Sequence, residues 1–251
     1  GAVECPPGSV GVYQAVVGLT SVSNAAAGVT GCAEEGRQAF EQRRQQTVAH
    51  NALGPLDALA GEVLSVPGVS DAYVSENSSA TPVTVGGVTL PAHSLYVCVN
   101  GGADADVALA IARKKPPGCA SVGASSVVVM DPNAAYAKQP EYTVQFTRAQ
   151  AVPVYVAVVL AGGVGVPSTA AADVQAAIVA GFDGATGAQR VAIGGTVYAS
   201  SLFASVGAVG DWVKIVGITV GLSQQPADPT VQVGVDQIPV LSAATISVVV
   251  R

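Results

Sequence analysis

The stretch that decides the fold is SLYVCVNGGADADVALAIARKKPPG, which covers residues 94–118. It opens with a mainly apolar run from Ser94 to Val99 and then meets Asn100-Gly101-Gly102. A short apolar run that stops at an Asn-Gly pair is typical of a strand followed by a tight turn. We therefore predict a strand over residues 94–99.

The second part of this stretch, Asp104 to Lys115, predicts a helix. Its apolar stripe consists of Val107, Ala110 and Ile111. Asp104 is predicted to be the N-cap, with Asp106 in the first turn. Three basic residues complement the negative end of the helix dipole, and Pro116-Pro117-Gly118 stops the helix.

The segments on either side of this stretch extend the pattern. Upstream, Pro55 opens a predicted helix over 56–66, whose apolar residues recur at i, i+3, i+4, i+7 and i+8. The remaining predicted elements are a strand over 69–76, a hairpin turn within 83–88, and strands over 126–130 and 141–147. This order of helices and strands predicts a first α+β domain over residues 54–148.

The composition changes after Arg148. Of the 11 basic and 17 acidic residues of the chain, only 3 and 5 lie in residues 149–251. This part is predicted to contain strands over 154–160, 212–222, 231–235 and 245–250, and helices over 168–182 and 197–205. We predict a second α+β domain over residues 149–251, with a hinge near Arg148.

The first 53 residues differ from both domains. Residues 1–31 are turn-rich, with one candidate strand from Val10 to Leu19. Residues 34–48 are almost wholly polar, with acids first and bases later, which predicts a helix aligned with its dipole. That helix is either solvated or packed against a partner chain by Phe40 and Val48. The fold class is therefore α+β: two small mixed modules with short strands, preceded by an extended segment and a polar helix over 1–53.

The composition excludes several classes of protein. Half of the 251 residues are hydrophobic and only 11% are charged, against roughly 25% charged in ordinary domains, so disorder over most of the length is excluded. A formal net charge of −6 argues against a nucleic-acid binder. The uncharged run 149–172 is broken by glycines and prolines, so no membrane insertion is expected. No basic segment precedes an apolar one at the start, so no signal peptide is expected.

Patterns that could bind a cofactor or a metal each have a structural explanation. The loop 162–165 (GGVG), with Asp183 downstream, matches only part of a dinucleotide-binding pattern and is not followed by the Lys of a phosphate-binding loop. Asp104 and Asp106 fit the start of a helix better than a metal pair. Lys114 and Lys115 fit the end of a helix better than a phosphate site.

The cysteines and histidines are also isolated. Cys5, Cys32, Cys98 and Cys119 form no Cys-x-x-Cys pair, so we expect free thiols in a reducing compartment. His93 enters a strand and is expected to be structural. Paired carboxylates stay open, because their pairing is spatial. We predict no catalytic residue, no metal site, no cofactor and no small-molecule substrate, and hence a protein that is not an enzyme.

An ordered series of short motifs extends from Gly28 to Gly123. After SNAAAG (residues 23–28) and the polar helix with Glu35, Arg37, Arg43 and Arg44 come VPGVSDA (66–72), EN (76–77), LPAHS (90–94), NGG (100–102), DVALAI (106–111) and KPPG (115–118). In this order the motifs resemble the baseplate J-like family of contractile phage tails and related injection machines. The second half is similar more loosely, through its strand-helix-strand layout and QIPVL at 237–241.

The resemblance implies a structural role. Such proteins build the wedges of a baseplate ring around a central hub, and they contact other baseplate wedge proteins, the hub and further copies of themselves. It implies a place in the virion, at the tail baseplate, after assembly in the host cytoplasm. Family members usually have a longer N-terminal part, and the resemblance carries over no catalytic residue.

Two alternatives stay open beside this expectation. One is the equivalent wedge of a tailocin or contractile injection system. The other, of a different class, is a host-surface binding tail module. The second alternative predicts exposed aromatic side chains, whereas aromatic residues make up only 5% of the chain.

Overall fold

The computed structural model describes residues 5–11, 17–28, 40, 44, 55–131, 136–184 and 190–251. Residues 1–40 and residues 41–251 form two separate compact units. The larger unit combines helices with several small mixed sheets, so the predicted α+β class is confirmed. The predicted boundary between residues 148 and 149 falls inside this unit and stays a prediction.

In the smaller unit, the side chain of Asn24 holds two chain segments together. Its Oδ1 accepts a hydrogen bond from the Val10 N–H at 3.0 Å. Its Nδ2 donates to the carbonyl oxygens of Pro6 at 2.8 Å and Ala26 at 2.9 Å. One amide side chain therefore joins Pro6, Val10 and Ala26 within this unit.

The predictions for the first 53 residues are tested only in part. Residues 10–11 and 17–19 of the candidate strand are described, and they do not lie in a strand. The rest of that strand lies outside the described residues. Of the predicted polar helix only Phe40 and Arg44 are described, and both are helical.

The first half of the larger unit is built on a five-stranded sheet. Its elements are α1 (Pro55–Leu64), β1 (Val69–Asn77), β2 (Val83–Val85), β3 (Val88–Leu90), β4 (Ser94–Gly101), α2 (Asp104–Lys114), β5 (Ala120–Val122), β6 (Ser125–Met130) and β7 (Glu141–Arg148). Strand β1 pairs antiparallel with one side of β4, and β5 and β7 pair parallel with successive parts of its other side. Strand β6 continues the sheet beyond β7, and β2 and β3 form a separate hairpin.

The residue alternation in β4 explains why this strand is central. Leu95, Val97 and Val99 point to one face of the sheet and join the core beneath α1 and α2. Tyr96 and Cys98 point to the other face and are buried as well. A strand that is covered on both faces needs a continuous apolar run, because neither face can carry solvated side chains.

The turn between β4 and α2 depends on a glycine. Gly101 has a φ of 83°, and a Cβ there would lie 2.1 Å from the carbonyl oxygen of Gly68. Helix α2 has Ala103 as its N-cap, so the prediction that Asp104 caps this helix is wrong. The Asp104 carboxylate instead accepts hydrogen bonds from Arg148 at the end of β7.

The second half is built on a three-stranded sheet in the order β11-β9-β14. Its elements are β8 (Gln150–Pro153), β9 (Tyr155–Leu160), α3 (Ala170–Phe182), β10 (Thr196–Tyr198), α4 (Phe203–Gly207), β11 (Ile215–Gly221), β12 (Thr230–Gln232), β13 (Gln237–Val240) and β14 (Ile246–Val250). Strand β9 pairs antiparallel with β11 and parallel with β14. Val156, Val158 and Leu160 point from β9 into a second core that includes residues of α3 and α4.

Several predicted elements of the second half need correction. The predicted helix over 197–205 starts in strand β10 and passes through a 3-10 turn, Ala199–Leu202, before α4 begins. The predicted strand over 231–235 ends at Gln232. Strands β8 and β13 of the second half, like β5 of the first half, were not predicted. Each has only three or four residues and pairs parallel with a distant segment.

A third core lies between the two halves. It contains Leu90, Tyr96 and Cys98 from the first half and Ile193, Val235 and Ile238 from the second. We call the contact region formed by these six residues the seam. The outer face of β4 is thus covered by the second half of the chain, which accounts for the apolar side chains on both of its faces.

Candidate functional site

The glycine loop at 162–165 does not form a nucleotide site with Asp183. The loop precedes helix α3, whereas Asp183 follows the last residue of that helix. Thirteen helical residues with a rise of 1.5 Å each separate the two by about 20 Å. The Gly162 N–H donates to the carbonyl oxygen of Arg251, so this backbone serves to join the loop to the end of β14.

Asp104, the first residue of α2, anchors the end of β7 through Arg148. The Arg148 guanidinium donates to Asp104 Oδ1 from Nε at 2.9 Å and also from Nη2. The same guanidinium donates to the carbonyl oxygens of Gly101 and, at 2.9 Å, Gly102. Across the described ranges, no group of three or more His, Cys, Asp or Glu side chains could hold a metal ion.

The basic end of α2 is occupied by contacts within the protein. Arg113 and Lys114 lie 3.6 and 3.9 Å from the carboxylate of Glu62 on α1. Lys115 donates from Nζ to the carbonyl oxygen of Cys119. These cations fasten α2 to α1 and to the segment that follows, which agrees with a structural role.

His93 has an unusual backbone conformation. Its φ of 51° lies in the left-handed region, and it is the one non-glycine residue with positive φ among those described. Its N–H donates to the Ser79 carbonyl oxygen at 3.2 Å, and its own carbonyl accepts from the Ala120 N–H at 3.3 Å. His93 is exposed, and its backbone forms part of the turn between β3 and β4.

The described cysteines are free thiols. Cys5, Cys98 and Cys119 form no disulfide, and Cys32 lies outside the described residues. Burial raises the pKa of the Cys98 thiol to about 12 and also raises that of Cys119. A thiol with a raised pKa is a poor nucleophile at neutral pH, because the thiolate is the reactive form.

Three ionisable groups whose pKa is raised by burial lie around the seam, namely Asp71, Tyr96 and Cys98. Burial raises the pKa of Asp71, against the opposing effects of hydrogen bonds from Ile193 and Ala72 and of the Arg190 charge. Burial likewise raises the pKa of Tyr96 to about 12, although the nearby Thr147 side chain acts in the opposite direction. Sequence reasoning missed this cluster, because Asp71 and Arg190 are far apart in the chain.

A shallow depression lies between α2 and the edge of the first sheet. It is lined by Leu109, Ala112, Arg113, Met130, Asp131 and Tyr142, and it encloses about 230 Å³, part of which is open solvent. Ligand pockets are typically about 300–1,000 Å³ and are well enclosed. This depression is therefore a poor candidate for a small-molecule site.

The exposed features best suited to contacts with other proteins are two strand edges. Strands β6 and β14 are the last strands on their sides of the two sheets, and neither contains a charged residue. On β6, Val128 is 62% exposed and Met130 is 57% exposed. On β14, Val249 and Val250 are each 42% exposed.

The backbone of β14 shows which groups face outward at its edge. The Arg251 N–H donates to the Leu160 carbonyl oxygen, so alternation turns the backbone groups of Val248 and Val250 away from β9. Ile246, which also faces outward, donates to the Ala243 carbonyl and accepts from Gln175 Nε2 at 2.8 Å. The open part of this edge is therefore the stretch from Val248 to Val250.

Two comparisons with known proteins found no match for this chain. No protein-family model matches the chain, and neither does any curated protein. None of the helices in the described ranges has the length and apolar composition needed to cross a bilayer.

Proposed function

We propose that this chain is a structural component of a contractile-tail baseplate and helps to form the wedge ring around the central hub. The observation that carries the proposal is the ordered series of motifs from Gly28 to Gly123, from VPGVSDA at 66–72 to KPPG at 115–118. Its partners are other baseplate wedge proteins, the hub and further copies of itself, and its place is the tail baseplate of the virion.

The surface of the described residues supports a role in assembly. Two strand edges without charge, β6 and β14, leave valine and methionine side chains exposed. Natural proteins usually protect open edges with charges, prolines or bulges, because an open edge can pair with another chain. Edges without such protection suit a subunit whose neighbours cover them.

Several side chains that the sequence offered as metal or phosphate ligands have structural partners, which is consistent with the same proposal. Asp104 binds Arg148, and the cations at the end of α2 bind Glu62 or a carbonyl oxygen. Each of these groups has a partner inside the protein that explains its position. The proposal therefore assigns the chain no catalytic step and no cofactor.

Reconstitution tests the proposal directly. The purified full-length chain is mixed with the proteins encoded beside it in its genome, and complexes are detected by size-exclusion chromatography and negative-stain electron microscopy. We expect complexes that contain several copies of the chain arranged as wedges or rings. A chain that stays monomeric and binds none of these neighbours would contradict the proposal, and specific binding to a glycan array would favour a host-surface module instead.

A matched pair of valine substitutions connects assembly with the strand edges. Val128→Lys places a charge on β6, and Val249→Lys places one on β14, whereas Val164→Lys places it in the fully exposed loop before α3. We expect the first two variants to weaken complex formation and the third to leave it unchanged. Equal assembly by all three variants would contradict the role assigned to these edges.

A further inference from the structure

The seam is small compared with the two cores that it joins. Among the described residues, the first and second cores contain 14 buried residues each, whereas the seam contains six. Apart from the segment that connects the halves, two hydrogen bonds between described groups cross the seam. Ile193 N–H donates to Asp71 Oδ2 at 2.6 Å, and Val235 N–H donates to the Gly86 carbonyl oxygen at 3.1 Å.

Asp71 is directed toward the second half by an irregularity in its strand. The register between β1 and β4 shifts between Val69 and Asp71, as at a β-bulge, and bulges re-aim the side chains beside them. Asp71 Oδ1 accepts from the Ala72 N–H at 2.8 Å, which fixes the carboxylate so that Oδ2 meets Ile193. Ile193 is only 4% exposed, so its N–H would be left without an acceptor if Asp71 were removed.

A polar group beside this contact is incompletely paired. The Arg190 Nε is buried and has no hydrogen-bond partner among the described residues. Arg190 acts electrostatically on the Asp71 carboxylate, and Asp236 acts on both Tyr96 and Cys98. Buried polar groups without partners weaken a contact, because they would regain hydrogen bonds to water if it opened.

We propose that the seam is a separable joint, latched by the contact between Asp71 and Ile193, which opens while the cores of both halves stay folded. The inference goes beyond the role in a baseplate and does not depend on it. Opening separates Tyr96 and Cys98 from Ile193, Val235 and Ile238, and it leaves the face of β4 beneath α1 and α2 covered. The Cys98 thiol, which is 0% exposed when the seam is closed, therefore reports opening.

The test compares two adjacent positions on β4 that face opposite cores. In the full-length chain, Cys5, Cys32 and Cys119 are replaced by serine so that Cys98 is the single thiol. The matched control carries Cys98→Ala and Val99→Cys, which moves the thiol to a side chain that is also 0% exposed but lies in the first core. Labelling by a maleimide is followed by mass spectrometry, with and without Asp71→Ala, and each rate is normalised to that of the urea-unfolded protein.

We expect Asp71→Ala to accelerate labelling of Cys98 by roughly 10- to 100-fold, since a buried N–H loses its charged acceptor. Labelling of the thiol introduced by Val99→Cys should change by less than about twofold. Equal acceleration at both positions would overturn the proposal, because the larger unit would then open as a whole. An unchanged rate at Cys98 would overturn the role of Asp71.

The comparison without the Asp71 substitution keeps the proposal falsifiable if Asp71→Ala fails to fold. With Asp71 present, a joint that opens by itself exposes Cys98 more often than the first core exposes position 99. We therefore expect Cys98 to be labelled at least about tenfold faster than the control thiol. Equal rates at the two positions would refute the joint.

Discussion

Replacing Arg148 by alanine removes the contact that fixes the end of β7 to the start of α2. The guanidinium donates to the carbonyl oxygens of Gly101 and Gly102 and to the carboxylate of Asp104, and its centre lies 5.1 Å from the centroid of the Phe146 ring. A single side chain thus pairs two carbonyls of the turn that joins β4 to α2. The turn lies beside the Gly68–Gly101 contact, so its geometry leaves little room for rearrangement.

The exposure of the two charged groups decides which of these contacts matters most. The Asp104 side chain is 60% exposed and that of Arg148 is 31% exposed, so solvent screens the ion pair, which is worth about 0.2–1 kcal/mol. Each hydrogen bond to a carbonyl contributes roughly 0.5–1.5 kcal/mol. The contact with the Phe146 ring adds about 0.5–1 kcal/mol. We therefore expect Arg148→Ala to lower the free energy of unfolding by about 2–5 kcal/mol.

Urea unfolding of the full-length protein, followed by circular dichroism, measures this loss. Asp104→Ala is the matched control, because it removes the ion pair and leaves both carbonyl contacts, and it should lower the free energy of unfolding by about 1 kcal/mol or less. Arg148→Lys keeps the charge but loses the planar fork, so its effect should lie between those of the two alanine variants. If Asp104→Ala destabilises the protein as much as Arg148→Ala, the assignment of the main effect to the carbonyl contacts is wrong.

Three further predictions concern single positions in the larger unit. His93→Gly should raise the free energy of unfolding by up to about 1 kcal/mol, because glycine adopts the φ of 51° without strain; a loss of stability in urea unfolding would contradict this. Gly101→Ala should lower the free energy of unfolding several-fold more than Gly118→Ala. Both glycines have positive φ, but only at Gly101 would a Cβ collide with a carbonyl oxygen. Similar urea-unfolding midpoints for the two variants would count against the collision. Burial raises the pKa of Asp71 above 3.8, so its contribution to stability is greatest below pH 3.8 and is lost as the pH rises through the folded-state pKa. As the pH rises from 3.8 through the folded-state pKa, urea unfolding should show the wild type losing stability relative to Asp71→Asn. If the wild type instead gains stability, the hydrogen bonds and the Arg190 charge outweigh burial in setting this pKa.

The central strand and helix were predictable because local signals agree with the tertiary structure. The apolar run 95–99 fits a strand that is covered on both faces, and the stripe on α2 fits a helix packed against one of those faces. The Gly86-Gly87 pair marked the turn of the β2–β3 hairpin, and both residues have positive φ. Where periodicity, turn residues and burial point the same way, a single sequence carries enough information.

The parallel pairings were not predictable, because their partners are remote in sequence. Strands β8 and β13 have four residues each and pair across a separation of 87 positions, from Gln150 to Gln237. Four residues do not establish an alternation, and the proline in each strand argues locally against one. Asp104 was misassigned for a similar reason, since its partner Arg148 lies 44 positions away and its local surroundings favour a cap.

The candidate surfaces were foreseen only in general terms. The resemblance to the baseplate J-like family implied contacts with other chains, but the sequence does not tell an edge strand from a central one. The runs SSVVVM at 125–130 and ISVVV at 246–250 resemble the core strand YVAVVL at 155–160 in composition. Which of these strands lies at an edge is determined by the order in the sheets, and that order depends on long-range pairing.

A comparison of the edge strands β1, β6 and β14 connects composition with assembly. Strand β1, which also lies at an edge, carries Asp71 and Glu76 and an irregular register, and these features discourage pairing with another chain. Strands β6 and β14 have no charge and no proline, and no register shift interrupts their pairing in the two sheets. Selection against aggregation acts on every edge of a free chain, so the contrast between a protected β1 and the open β6 and β14 supports the proposal that neighbours cover the open edges. A lysine on β6 or β14 should therefore reduce aggregation of the isolated chain and impair its assembly with other chains. A variant that showed both effects would separate this explanation from a simple loss of stability.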